Sequence, residues 1–123
     1  MNNSTTREDF LNKLKRTGEL QITVTGRKTK KKFSTPVWFV LDGDNKRVTI
    51  VPVKGTDSNW FKNLAKDPSI ELAVDDSTIS SKASLVRDSN QAKQVIEKLI
   101  AKYKSEWSES YYTKRDAFVE VHV

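Results

Sequence analysis

With 123 residues and a formal net charge of +6, the chain is long enough for one packed domain and too short for two. Its 36% hydrophobic and 31% charged residues describe a globular chain with an ionic surface, and the absence of cysteine excludes a disulfide framework, a thiolate metal site and a cysteine nucleophile. The single histidine, His122, excludes a two-histidine metal centre, so no metal ligands are expected.

Met1 to Glu8 carries no apolar leader core, and no stretch approaches the roughly 18 apolar residues of a membrane span, so the expected location is the cytoplasm. Thr5 and Glu8 have capping-box spacing and Phe10, Leu11 and Leu14 follow at helical intervals, which predicts a helix over about 5–17 that covers one mouth of the fold and ends near Gly18. Leu20, Ile22 and Val24 alternate with polar residues as in a strand with one dry face. The run Thr35 to Leu41 is apolar on both alternating faces and predicts a strand buried on both sides, with Pro36 near its start or on an edge. Asp42-Gly43-Asp44-Asn45 predicts the turn of a hairpin whose second strand is Val48 to Val53, closed by Lys54-Gly55.

Asp57 or Ser58 can cap a short helix carrying Trp60, Phe61 and Leu64, which Pro68 stops. A second hairpin follows, with strands at Ile70 to Val74 and Ile79 to Val86 around Asp75-Asp76-Ser77. Asp88 and Gln91 open the longest helix, whose Ala92, Val95, Ile96, Leu99, Ile100 and Tyr103 form one stripe. Ala117, Val119, Val121 and Val123 then face one way and Phe118, Glu120 and His122 the other in a last strand, which puts His122 on the surface or at an interface. The expected fold is mainly β with peripheral helices: six antiparallel strands closed as a barrel, one domain over 1–123, with an open sheet as the competing layout.

Two segments favour anions. Thr25 to Lys32 places Arg27, Lys28, Lys30, Lys31 and Lys32 on a turn whose Gly26 lets the backbone approach a ligand, although a solvated hairpin tip has the same composition. Lys54-Gly55-Thr56 precedes the N-terminus of the Asn59–Leu64 helix, a second anion-favouring feature. Arg115 can meet a phosphate or pair with a carboxylate.

From about Leu20 to Val123 the order of segments resembles the deazaflavin-dependent nitroreductase family of the FMN-binding split-barrel superfamily, whose fold is pyridoxamine phosphate oxidase-like. The likeness rests on Thr-Gly-Arg-Lys-Thr at 25–29, Thr-Pro-Val-Trp-Phe at 35–39, Lys-Gly at 54–55, Asn-Trp-Phe-Lys-Asn-Leu at 59–64 and Tyr111-Tyr112-Thr113-Lys114-Arg115. It implies a six-stranded split barrel that dimerises and holds coenzyme F420 or FMN. Under it Arg27, Lys28 and Thr29 meet the cofactor phosphate and Lys30 to Lys32 a polyglutamate tail. Pro36, Val37 and Trp38, with Val51, Pro52, Val53 and Lys54, line the ring, and Asn59, Trp60 and Asn63 complete the wall.

The chain departs from the family where Lys30 and Thr56 replace glycines, Asp57-Ser58 replaces Asn-Pro, and Phe61 replaces tyrosine. Trp107, Tyr111 and Tyr112 are the late aromatic candidates, the two tyrosines as proton donors in a hydride transfer to a small organic acceptor. Such a reaction asks the protein mainly for position and dielectric, so one histidine is no obstacle. Rival readings are an FMN- or haem-binding barrel, a cofactor-binding barrel without turnover, and a nucleic-acid module, the last disfavoured because the cations gather on one turn and no nucleic-acid motif is present. The two-faced apolar strand at Val37 to Leu41 further predicts a homodimer.

Overall fold

The computed structural model describes residues 3–42, 46–108 and 110–123, with side chains from Glu8 onward. Three helices, α1 (Asn3–Lys15), α2 (Asn59–Lys66) and α3 (Ser89–Lys102), accompany seven strands: β1 (Leu20–Thr25), β2 (Lys32–Val37), β3 (Val40–Asp42), β4 (Arg47–Ile50), β5 (Ser69–Val74), β6 (Ser77–Val86) and β7 (Phe118–His122). Every pairing is antiparallel and the sheet order is β2-β1-β5-β6-β7-β4-β3. β2 and β3 are consecutive in the chain yet stand at opposite ends of that order. The sheet therefore curls until its two ends meet at the joint Trp38-Phe39, giving a half-barrel split along that side.

Alternation places one face of each strand indoors. Leu20, Ile22 and Val24 of β1, Ile70, Leu72 and Val74 of β5, and Val119 and Val121 of β7 share the barrel interior with Phe39, Phe61 and Leu64. Each fully buried side chain of this size contributes roughly 1.5–3 kcal/mol of transfer free energy. α1 adds Phe10 and Leu14 to the same cluster, and Lys13 ties it to the β5–β6 turn through Asp76 at 2.6 Å and Ser77 at 2.8 Å.

α3 packs outside. Its Ala92, Val95, Ile96 and Leu99 meet Val40, Val51, Tyr112 and Phe118 in a second cluster. Asp88 caps it, accepting from the N–H groups of Asn90 and Gln91, while Gln91 reaches back to the same carboxylate at 3.2 Å. No described helix is long and apolar enough to cross a membrane.

Several expectations are corrected. The described residues form seven strands, because the run 35–41 is interrupted at Trp38-Phe39 and its first half begins earlier, at Lys32. That first half, β2, is not buried on both faces: it is an edge strand, with Phe33 51% exposed and Pro36 exposed, and an edge is where a strand tolerates proline. Only Val40–Asp42 pairs with β4, and β4 stops at Ile50, three residues short of Val53. The expected turn at 43–45 lies outside the described residues. α1 opens at Asn3, ahead of Thr5. Ser58 stands at the N-cap of α2 without capping it, since its hydroxyl accepts the Lys54 N–H at 3.1 Å instead. Phe118 is buried beneath α3, so both faces of β7 are dry at its start.

Candidate functional site: a groove along the free edge of β2

β2 is paired on one side only, and along its open edge lie two adjoining cavities of about 420 and 120 Å3 that share Thr35 and Trp60 in their walls. The larger is bounded by Arg27, Lys28 and Thr29 of the β1–β2 turn, by Phe33 to Thr35 of β2, and by Asn59, Trp60 and Asn63 of α2. The smaller is bounded by Thr35 to Trp38, Val51, Val53, Trp60, Tyr111 and Tyr112.

Backbone geometry builds the cationic turn. Gly26 N–H donates to the Lys31 carbonyl at 2.7 Å and Lys30 N–H to the Gly26 carbonyl at 3.0 Å. A Cβ on Gly26 would meet the Phe33 ring, so any other residue there would push that exposed ring aside. Lys30 sits at φ 65, the left-handed region in which glycine is at ease; the lysine adopts a glycine-type backbone at the cost of strain.

The turn is fastened to α2 by Asn63, itself buried. Its Oδ1 accepts from the Arg27 backbone N–H at 3.2 Å and from Arg27 Nη1 at 2.7 Å, and Nη1 also donates to the Asn59 carbonyl at 3.4 Å. Among the described residues, the walls of the larger cavity contain two aromatic rings, Phe33 and Trp60, beside cations, amides and hydroxyls and no carboxylate, and those of the smaller contain no charged group at all. The field of the groove is positive at one end and neutral at the other.

Five rings build the neutral end. Trp38 stacks on Tyr103 with centroids 4.4 Å apart and planes 5° apart, and lies 5.5 Å from Tyr111 and 6.5 Å from Trp107. Tyr112 stacks on Trp107 at 5.4 Å and meets Tyr111 edge-on at 5.1 Å. Tyr112 is buried, which raises its phenol well above the usual tyrosine value, the neighbouring tyrosines adding to the effect. Tyr111 is 49% exposed at the mouth.

The segment carrying these tyrosines is pinned across the chain. Thr113 N–H donates to the Val53 carbonyl at 2.9 Å, and Asp116 accepts from the Thr56 N–H at 3.0 Å and hydroxyl at 2.8 Å. Those bonds and the nearby Lys114 ammonium outweigh burial and hold the Asp116 carboxyl below its ordinary value. Gly55 makes this possible: at φ 57 it turns the chain, and a Cβ there would strike the Asp116 carboxylate and the Lys114 carbonyl.

Of the residues singled out in the sequence, Arg27, Lys28, Thr29, Asn59, Trp60 and Asn63 gather at the larger cavity, and Pro36, Val37, Trp38, Val51, Val53, Tyr111 and Tyr112 at the smaller. Pro52 and Lys54 line neither; Pro52 is buried and Lys54 is exposed at the turn. Phe61 is directed into the barrel interior, with Arg87 5.3 Å above its ring. Arg115 lies over Trp107 and donates to the Tyr112 carbonyl at 3.4 Å, and His122 is exposed at the end of β7. Sequence reading misses Phe33 and Ser34, because the apolar run begins only at Thr35. The pair Thr56–Asp116 was also missed, being 60 residues apart with no local signature.

No curated protein matches the chain. Solved structures agree on the fold. An F420-H2 dependent reductase aligns with TM-score 0.59 at 17% identity, covering 85% of this chain and 94% of its own. A protein related to general stress protein 26 of B. subtilis, from Clostridium acetobutylicum and of the pyridoxinephosphate oxidase family, aligns with TM-score 0.65 at 12% identity over 100% of this chain and 86% of its own. A third, described as a domain-swapped dimer, aligns with TM-score 0.62 at 17% identity over 97% and 98%. The model of the F420H(2)-dependent quinone reductase family matches residues 4–123, which takes in β1 to β7 and all but the first residue of α1, and the chain belongs to that family.

Proposed function

We propose that the chain is a reductase that binds coenzyme F420 in the groove along β2 and reduces a small, flat organic acceptor of the quinone class. The single observation behind this reading is the division of one groove into a cationic, carboxylate-free end and an uncharged aromatic end. A phosphate-bearing deazaflavin has the complementary division, an anionic tail and a flat ring.

The residues present fit such a group. Arg27, Lys28 and Thr29 would hold the phosphate, with Arg27 already oriented by Asn63, and Lys30 to Lys32 would attract further carboxylates of the tail through the same field. Pro36, Val37, Trp38, Val51 and Val53 would lie against the ring, and Asn59, Trp60 and Asn63 would close the wall between the two ends. When bound in reduced form, the cofactor supplies a hydride to the acceptor.

The protein's own part is to orient, exclude water and deliver a proton. Stacked and edge-on rings at the aromatic end bind planar acceptors and keep the local dielectric low. An acceptor that takes up a hydride needs a proton, and two hydroxyls are candidates: Tyr112 Oη, on a residue of the smaller cavity's wall, and Tyr111 Oη, on a residue open to solvent for re-protonation.

The reading is tested by titrating the protein in parallel with F420 and with FMN. Tighter binding of F420 is expected; binding of FMN alone would transfer the groove to a flavin and overturn the assignment. Turnover of quinone, nitroarene and enone acceptors with F420H2 then separates a reductase from a barrel that only stores cofactor. Turnover that survives unchanged when Tyr111 and Tyr112 are both replaced by Phe would remove the tyrosines from proton delivery.

A homodimer belongs to the same proposal, supported by the dimeric structural neighbour and by Phe33, a large hydrophobic left exposed at the larger cavity. A monomer in sedimentation at micromolar concentration would contradict it.

A further inference from the structure

Trp38 and Phe39 form the joint at which the chain leaves β2 for β3, and neither belongs to a strand. Buried backbone groups at such a joint need partners from outside the sheet. Tyr103, the residue that follows α3, supplies them. Its Oη accepts the Phe39 N–H at 3.2 Å and donates to the Phe39 carbonyl at 3.1 Å. Lys102 Nζ donates to the same carbonyl at 2.9 Å and lies 3.6 Å from the centre of the Phe39 ring, which is itself fully buried in the barrel.

The same Tyr103 ring stacks flat on Trp38. One side chain thus grips the backbone of the joint through its hydroxyl and the indole beside it through its face, while lining neither cavity itself. Trp38 by contrast lines the smaller cavity together with Tyr111 and Tyr112. An indole on a two-residue joint has rotational freedom in its backbone and its side chain; Phe39 is anchored by the core, Tyr111 and Trp107 touch the indole at a tilt, and Tyr103 alone both stacks flat on it and holds the backbone beside it.

We propose that Tyr103 is a positioning residue, which sets the plane of Trp38 and through it the width of the aromatic end of the groove. Its consequence for catalysis rests on the reading of that end as the place of the flat ring and acceptor.

The test uses the full chain with 5-fluorotryptophan at its three tryptophans, the Trp38 resonance being the one lost in Trp38→Phe. Tyr103→Phe keeps the stack and deletes the hydroxyl contacts; Tyr103→Leu deletes both, and if it fails to fold Tyr103→Phe decides alone. Tyr103→Phe is expected to shift and broaden the Trp38 fluorine signal while that of Trp60 stays in place. It should also weaken F420 binding by about fivefold, the cost of ordering one loosened side chain on binding, and raise KM for a quinone more than it lowers kcat. An unmoved Trp38 signal in the folded variants overturns the proposal, and a moved signal with unaltered affinity and KM overturns its functional half. Wild-type protein that fails to bind F420 while Tyr103→Phe still moves the Trp38 signal would instead sink the proposed function and leave the positioning role standing.

Discussion

The two ends of the groove are made by different physics. The cationic end is a short turn folded on itself by backbone hydrogen bonds and fastened to α2 by one amide, Asn63, through charge-assisted and neutral bonds to Arg27. The aromatic end is assembled from rings at positions 38, 103, 107, 111 and 112, held by stacking and by a carboxylate clasp between Asp116 and Thr56. A charged end recognises by sign, at long range and subject to salt; an aromatic end recognises by shape, at contact and with little regard to salt. Predicted effects therefore differ in kind as well as in size.

The largest effect is expected at the clasp. Gly55→Ala forces a Cβ into the Asp116 carboxylate at a positive φ, which should cost about 3 kcal/mol of folding stability in urea denaturation. A loss below about 1 kcal/mol would mean that the late aromatic segment is not held by this contact.

Next comes a direct contrast of the two ends. Arg27→Gln should weaken F420 binding about tenfold and flatten the dependence of affinity on salt, whereas Trp38→Leu should weaken it comparably and leave the salt dependence alone. Equal salt slopes for both variants would erase the distinction between the ends.

Smaller is the effect of Lys30→Gly. Relief of the left-handed lysine offsets the added freedom of the unfolded chain, so a net gain of under about 1 kcal/mol is expected in thermal unfolding, with slightly weaker F420 binding from the lost charge. A clear loss of stability would show that the lysine side chain holds the turn in place.

The smallest effect concerns pH. Lys102 is exposed overall, but its ammonium sits against Phe39, and this burial lowers it from its ordinary 10.5 to about 8. Below about 8 the folded and unfolded chains both carry the proton and the folded state bears the burial penalty; between about 8 and 10.5 the folded chain releases it first, so stability rises with pH in that window. The difference in Tm between wild type and Lys102→Met should accordingly move in favour of wild type from pH 7 to pH 10, and a constant difference would exclude the shift.

Local and periodic features are legible in the order of residues alone. Alternation in β1, β5 and β7 and the stripe on α3 follow from which faces must be dry, and the Asp88 and Gln91 cap follows from spacing along one turn. The cations of the β1–β2 turn and the Asn59–Asn63 helix were likewise legible, because charge clusters and helix starts are written in adjacent residues. The break at Trp38-Phe39 emerges only in the folded molecule, since an apolar run says that residues are buried and not that the chain bends among them. So do the meeting of Arg27 with Asn63, the closure of Asp116 on Thr56, and the hold of Tyr103 on Trp38. These contacts join residues 36 to 65 positions apart, and nothing in a linear pattern records which distant side chains the curl of a sheet will bring within reach.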